Sequence, residues 1–163
     1  MDFIKKVKAV FGDTYAKGDL FEQYVYRRFF KENFTVVCST PSKDDLDGMG
    51  SEACRNPDYQ FRCKQTKEPF WVECKYRSDT FEDGTIQWCE KWQLKRYKEI
   101  REETGIRTYI IIGLGGSASN PERIFCLDLD TTKYNKLFRS SYEPYEIEVS
   151  TFKSLEHLNK QLP

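Results

Sequence analysis

The sequence predicts an α/β domain in which a mixed β-sheet is flanked by helices, and three observations predict it. Residues 57–77 hold two alternating segments, "PDYQFRCK" and "EPFWVECKYR", joined by a short polar turn around 65–67, which is a hairpin signal. "WCEKWQLKRYKEIREETG" has helical periodicity and ends at Gly105, a residue suited to the left-handed conformation that closes helices. "IRTYIIIGLGG" is almost wholly apolar, as expected of a central strand covered on both faces. A hairpin, a helical crossover and a buried strand, in that order, imply parallel and antiparallel neighbours in one sheet.

In "MDFIKKVKAVF", Phe3, Ile4, Val7, Val10 and Phe11 keep helical spacing, which predicts a short amphipathic helix over 1–12. "KGDLFEQYVYRRFFKENF" reads as a second helix. Phe21, Tyr24, Val25, Arg28 and Phe29 form its core-facing stripe, broken only by Arg28, with Asp19 as the N-cap. "FTVVCST", 34–40, is β-branched and short, hence a strand. Residues 41–56 are a Pro/Gly/Ser/Asp loop, and their "DDLDG" lacks the register of a calcium-binding EF-hand. The glycines of "GLGGSASNP" are expected to close the apolar strand, and they match no phosphate-binding fingerprint. "RIFCLDLD" is another strand. The tail, 131–163, mixes a short helix, a Tyr/Pro/Glu segment and a final helix. One domain over 1–163 is expected, with its core in 18–130 and the N-terminal helix and tail as additions.

Composition narrows the chemistry. Of 163 residues, 39% are hydrophobic and 15% aromatic, enough to build a core despite a charged fraction of 32%. Lys+Arg and Asp+Glu balance at 26 each, so any basic surface must be local. No apolar run suits a signal peptide or a membrane span, and a cytoplasmic protein is expected. Six scattered cysteines contain no C-x-x-C pair, which argues for buried free thiols over disulfides or structural zinc. The single histidine, His157, excludes a His-rich metal site. Carboxylates and lysine are left as the natural carriers of any reaction.

They meet in the hairpin. Side chains alternate along a strand, so Trp71, Glu73, Lys75 and Arg77 share one face, opposite Phe70, Val72, Cys74 and Tyr76. Asp58, Gln60, Arg62 and Lys64 share a face of the first strand. A turn centred near 65–67 places Asp58 opposite Glu73 or Lys75, so two carboxylates and an ammonium converge at the end far from the turn. Paired carboxylates repel and favour a cation between them. Mg²⁺ takes oxygen ligands, often only one or two carboxylates, and leaves its other positions to water and phosphate.

"NPD" at 56–58 and "VECK" at 72–75 resemble the motif of the PD-(D/E)XK nuclease superfamily, with Asp58 and Glu73-x-Lys75 at the motif positions. The resemblance covers roughly residues 18–130 and extends to an upstream helical acid, Glu22. Gln93 and Tyr97, on the helix after the hairpin, resemble the Q-x-x-x-Y element of the exonuclease-like branches. It implies a restriction endonuclease-like αβββαβ core and a metal-dependent nuclease that hydrolyses DNA phosphodiester bonds with a metal-activated water. Asp58, Glu73 and the Cys74 carbonyl would hold Mg²⁺ or Mn²⁺. Lys75 would position the water, and Glu22 would hold a water or a second ion. Gln93 would orient the site or touch the DNA backbone beside Tyr97, with Lys95, Arg96 and Arg77 as further DNA contacts. Nucleases of this kind often act as homodimers.

Blander readings stand beside these. Glu73 and Lys75 also fit a solvated ion pair. Asp19-Leu20-Phe21-Glu22 also fits a capping box. By helical projection Gln93 falls in a stripe with Cys89, Trp92, Tyr97 and Ile100, where a core amide with satisfied hydrogen bonds is the alternative. The basic residues of that helix suit a solvated face equally well. Asp47 competes with Asp58 as the strand-side ligand. A catalytically inactive domain of the same fold, binding nucleic acid or a protein partner, is the alternative function.

Overall fold

The computed structural model describes residues 16–40 and 55–162. The helix expected over 1–12, most of the 41–56 loop, Asp47 and Cys54 lie outside them.

Residues 16–25 are helical (α1) and run directly into a wider π-turn, Tyr26–Phe30, closed by Lys31 N–H donating to the Tyr26 carbonyl at 2.8 Å. Two sequence expectations change here. Asp19 lies inside α1, not at its cap, so Glu22 is not part of a capping box. Arg28 does not continue the buried stripe. The widened turn shifts the helical phase, so consecutive Phe29 and Phe30 are both fully buried and Arg27 and Arg28 are exposed.

The main sheet contains β1 (Phe34–Ser39), β2 (Tyr59–Cys63), β3 (Pro69–Arg77), β5 (Thr108–Ser117) and β6 (Asn120–Asp128), in the order β1-β2-β3-β5-β6. Only β3 and β5 are parallel neighbours. Their crossover contains β4 (Ile86–Gln87) and α2 (Lys91–Thr104). Gly105 closes α2 at φ 68°, and its N–H reaches the Arg101 carbonyl. The β2–β3 turn carries Lys67 at φ 65°. Strand β5 extends past the "GLGG" expected to end it. Gly115 and Gly116 take positive φ there, and the β5–β6 ladder skips Gly115.

Each face of the sheet covers its own core. On one side Phe70, Val72 and Cys74 of β3 and Tyr109 and Ile111 of β5 pack against Phe21, Val25, Phe29 and Phe30. On the other, Ile110 and Ile112 meet Trp88, Cys89 and Tyr97. α1 approaches β5 so closely that a Cβ at Gly113 would lie 2.5 Å from Phe21 Cε2. That contact fixes the height of Glu22, the next residue, over the sheet.

The tail holds β7 (Lys136–Leu137), α3 (Arg139–Tyr142), a 3₁₀ turn at Glu143–Tyr145 and α4 (Leu155–Lys160). It is built into the core. Phe152, Leu155 and Leu158 are buried in the α1-side cluster, and Phe152 stacks on Phe29 at 5.1 Å between ring centroids. Arg107 pairs with Asp128 and donates to Asn159, which also bonds the Tyr109 hydroxyl, so α4 is tied to the sheet. The thiols of Cys63, Cys74, Cys89 and Cys126 are free and buried, as composition suggests, and Cys38 is exposed.

Candidate active site

Asp58 lies at the mouth of the hairpin. The last β2–β3 pair is Tyr59 with Val72, so Asp58 is the residue that would come next, opposite Glu73. Its backbone is fixed from the other side, where its carbonyl accepts from Thr40 N–H at 2.8 Å and the Thr40 hydroxyl donates to Pro57 O. Beyond Tyr59 the ladder is replaced by a side chain, with Asp58 Oδ2 accepting from Cys74 N–H at 2.7 Å. Strand divergence and side-chain capping thus put the carboxylate where the next backbone pair would be.

Glu73 is 1% exposed, which is unusual for a carboxylate. Its Oε1 is 2.6 Å from Lys75 Nζ, while Oε2 is buried without any hydrogen bond of normal geometry. The pair is therefore not the solvated surface pair that strand parity alone permits. Glu22 reaches the same place from α1. Asp58, Lys75 and Glu22 line a cleft of about 500 Å³ with Lys17, Gly18, Cys74, Tyr76, Arg77 and Ser78. Lys17, Gly18, Tyr76 and Ser78 carry no signal that sequence reading could isolate.

The charges act on one another. Burial, then Asp19 and Glu73, push the Glu22 carboxyl up to about 7, against the opposing pull of Lys75. Burial, then Glu73 and Glu22, raise Asp58 well above the usual carboxylate range, although Lys75 and the Cys74 N–H oppose this. For Lys75, burial alone would lower the pKa, but the Glu73 and Asp58 carboxylates and the Glu73 hydrogen bond outweigh it and the net shift is upward. Lys75 is thus a firmly protonated donor. The Cys74 thiol is pushed well up by burial and then by the same carboxylates, which removes it as a nucleophile.

The other expected contacts are distributed differently. Glu90 is the N-cap of α2, and its backbone N–H donates to Gln93 Oε1 at 3.0 Å in a capping box. This explains Gln93 at a half-buried position without any active-site role for its oxygen. Trp92 leaves the expected stripe and is 51% exposed. Cys89 precedes the helix, so a helical projection begun there misplaces the residues after it. Tyr97 is 3% exposed and stacks on Trp88 at 6.3 Å, so it is a buried neighbour of Glu73 and not a surface DNA contact. Arg77 lines the cleft, but its guanidinium donates to the carbonyls of Tyr76, Gln87 and Trp88 and so braces β4 against β3. Lys95 and Arg96 lie near Glu99 and Glu103, at 3.9 and 4.0 Å, as on a solvated helix face.

The donors present suit a hard divalent cation such as Mg²⁺ or Mn²⁺ better than a softer metal. They are carboxylate and carbonyl oxygens, one buried carboxylate oxygen has no hydrogen bond of normal geometry, and the other acid is held at a raised pKa by burial and then by the neighbouring carboxylates. Among the described residues no three His, Cys, Asp or Glu side chains form a ready metal cluster. The donor set that could hold a cation is therefore Asp58, Glu73 and the Cys74 carbonyl, completed by water.

The five-stranded mixed sheet and the αβββαβ core form a restriction endonuclease-like fold. Seven chains of solved structures match. One of them is Hjc of Archaeoglobus fulgidus, a Holliday junction resolvase from an archaeal hyperthermophile. The TM-score is 0.55 and the identity 14%, covering 82% of this chain and 97% of that one. No family model matches the sequence, and no curated protein matches it. Among the described residues no helix is long and apolar enough to cross a membrane.

Proposed function

We propose that this chain is a divalent-metal-dependent nuclease that hydrolyses DNA phosphodiester bonds. The observation that carries the reading is the convergence of Asp58, Glu22 and Lys75 on one cleft, with Lys75 held at 2.6 Å by the buried Glu73 carboxylate beneath it. Asp58, Glu73 and the Cys74 carbonyl would hold Mg²⁺ or Mn²⁺, which when bound supplies Lewis-acid polarisation of a phosphoryl oxygen and a more acidic water.

The chain's own groups do the rest. Lys75, kept protonated by Glu73, donates hydrogen bonds to the attacking water or to a non-bridging phosphoryl oxygen and offsets charge developing there. Glu22, with a carboxyl titrating near neutrality, orients a water at the cleft and can take a proton from it. The Asp58–Cys74 hydrogen bond and the Arg77 brace keep these groups in place before substrate arrives.

The test is cleavage of supercoiled plasmid, linear single strands and a four-way DNA junction, with Mg²⁺, Mn²⁺ or EDTA, beside Lys75→Ala. The junction belongs in the panel because the Hjc neighbour is a Holliday junction resolvase. Cleavage should require the metal and fall by at least two orders of magnitude in the variant. Cleavage in EDTA, or undiminished cleavage by Lys75→Ala, would refute the proposal.

A further inference from the structure

We infer that Arg27 and Arg28 form a second contact for the nucleic-acid backbone, in a cleft on the far flank of α1 from the catalytic one. The inference rests on the nuclease reading and adds the residues that grip the substrate away from the scissile bond.

This second cleft, of about 350 Å³, is lined by Leu20, Gln23, Tyr24, Arg27, Arg28 and Ser119. Leu20, Tyr24 and Arg27 have i, i+4, i+7 spacing, two positions out of phase with Glu22, so the helix carries the two clefts on opposite flanks. Arg27 lies five residues beyond Glu22, roughly 7–8 Å along the axis. A ligand extending a few nucleotides past the reacting phosphate is long enough to meet both.

The arginines are placed there by the core. The π-turn buries Phe29 and Phe30 together, and the two residues before them are extruded to the surface. Widened helical turns of this kind recur at functional sites. The pair is also unspoken for. Arg96, Arg101, Arg107 and Arg123 each have a carboxylate within 4.0 Å. Among the described residues, Arg27 and Arg28 have none.

The chemistry of the lining suits a phosphodiester. Two guanidinium forks supply planar donors for phosphate oxygens, and the Gln23 amide and the Ser119 hydroxyl add neutral donors. Tyr24, held against Phe21 at 6.2 Å with the rings 14° apart, offers an apolar wall for a sugar. No carboxylate lines the cleft. In a chain whose formal charge is zero, this is a local positive site of the kind a neutral nuclease needs.

The experiment measures equilibrium binding of the full chain to a labelled duplex in EDTA, from about 50 to 200 mM salt, so that no cleavage intervenes. The Arg27→Gln/Arg28→Gln double variant should bind at least tenfold more weakly at low salt. Its slope of log affinity against log salt should be shallower by about 1–2, as for two lost phosphate contacts. The Arg27→Lys/Arg28→Lys variant should recover most of the slope. An unchanged slope, an equal change in Lys67→Gln at the opposite end of the hairpin, or no duplex binding by the wild type overturns the inference. So does an effect of the double variant on self-association alone. Cleavage by the wild type with an unchanged slope removes this contact and leaves the nuclease reading intact. A changed slope without any cleavage does the reverse.

Discussion

Replacing Glu22 with Gln should make the protein more stable at pH 8 and leave it nearly unchanged at pH 4. Glu22 carries a folded-state pKa of about 7 against an ordinary value of 4.5, mainly because it is buried and secondarily because Asp19 and Glu73 surround it with negative charge. A carboxyl whose folded pKa is raised binds its proton more tightly in the native state. Its contribution is therefore fully present below pH 4.5 and is lost as pH rises through 7. A shift of this size corresponds to at most about 3.4 kcal/mol at about 1.36 kcal/mol per pKa unit. Partial exposure at the cleft screens the group, so roughly 1–3 kcal/mol is expected. Gln is neutral throughout and nearly isosteric, so it should not show this loss. In a domain of this size each kcal/mol moves the melting temperature by about 2–4 °C. Thermal unfolding monitored by circular dichroism in EDTA at pH 4, 5, 6, 7 and 8 should therefore give two curves that nearly coincide at pH 4. They should separate by roughly 2–12 °C at pH 8, with Gln the more stable. Parallel curves, or a variant less stable at pH 8, would refute the argument that Glu22 is a buried carboxyl held beside other acids.

The same contacts set the other expectations. Mn²⁺ or Mg²⁺ at about a hundred times its dissociation constant should stabilise the wild type by about 2.7 kcal/mol in thermal unfolding, and Asp58→Asn should abolish most of that gain. A Gly113→Ala substitution forces a methyl to 2.5 Å from the Phe21 ring and should cost about 1–3 kcal/mol in urea unfolding. The same change should lower cleavage by moving Glu22. Phe152→Ala removes a fully buried ring stacked on Phe29 and should cost about 3–5 kcal/mol, whereas a dispensable tail would lose almost nothing. Thiol titration of the folded protein should modify Cys38 quickly and leave Cys63, Cys74, Cys89 and Cys126 unreacted until the chain unfolds.

The crossover helix α2 and the helix α1 show where local periodicity stops being informative. Residues 91–104 are legible as a helix because Gly105 marks their end, but the helix starts only after Glu90. Projecting a stripe from Cys89 therefore puts Trp92 inside and leaves the capping role of Gln93 unseen. In α1 the periodic reading is sound through Val25 and fails at Arg28, where the helix widens. That widening has no local signature. It arises from the need to bury Phe29 and Phe30 against Phe61, Phe70 and Phe152, residues distant in the chain.

The hairpin is the opposite case. Alternation is a strict two-residue period and the turn sets the register, so the amino-acid sequence alone determined that Asp58, Glu73 and Lys75 share one end of one sheet face. It also determined the strand–helix–strand order that makes β3 and β5 parallel. Burial was beyond it. Only the tertiary structure decided that Glu73 is enclosed while Lys75 stays partly exposed, that Glu22 arrives from a helix on the other side of the sheet, and that Arg77 and Tyr97 face inward. Those outcomes depend on which surfaces pack together, and packing is set by contacts between segments that no local period encodes.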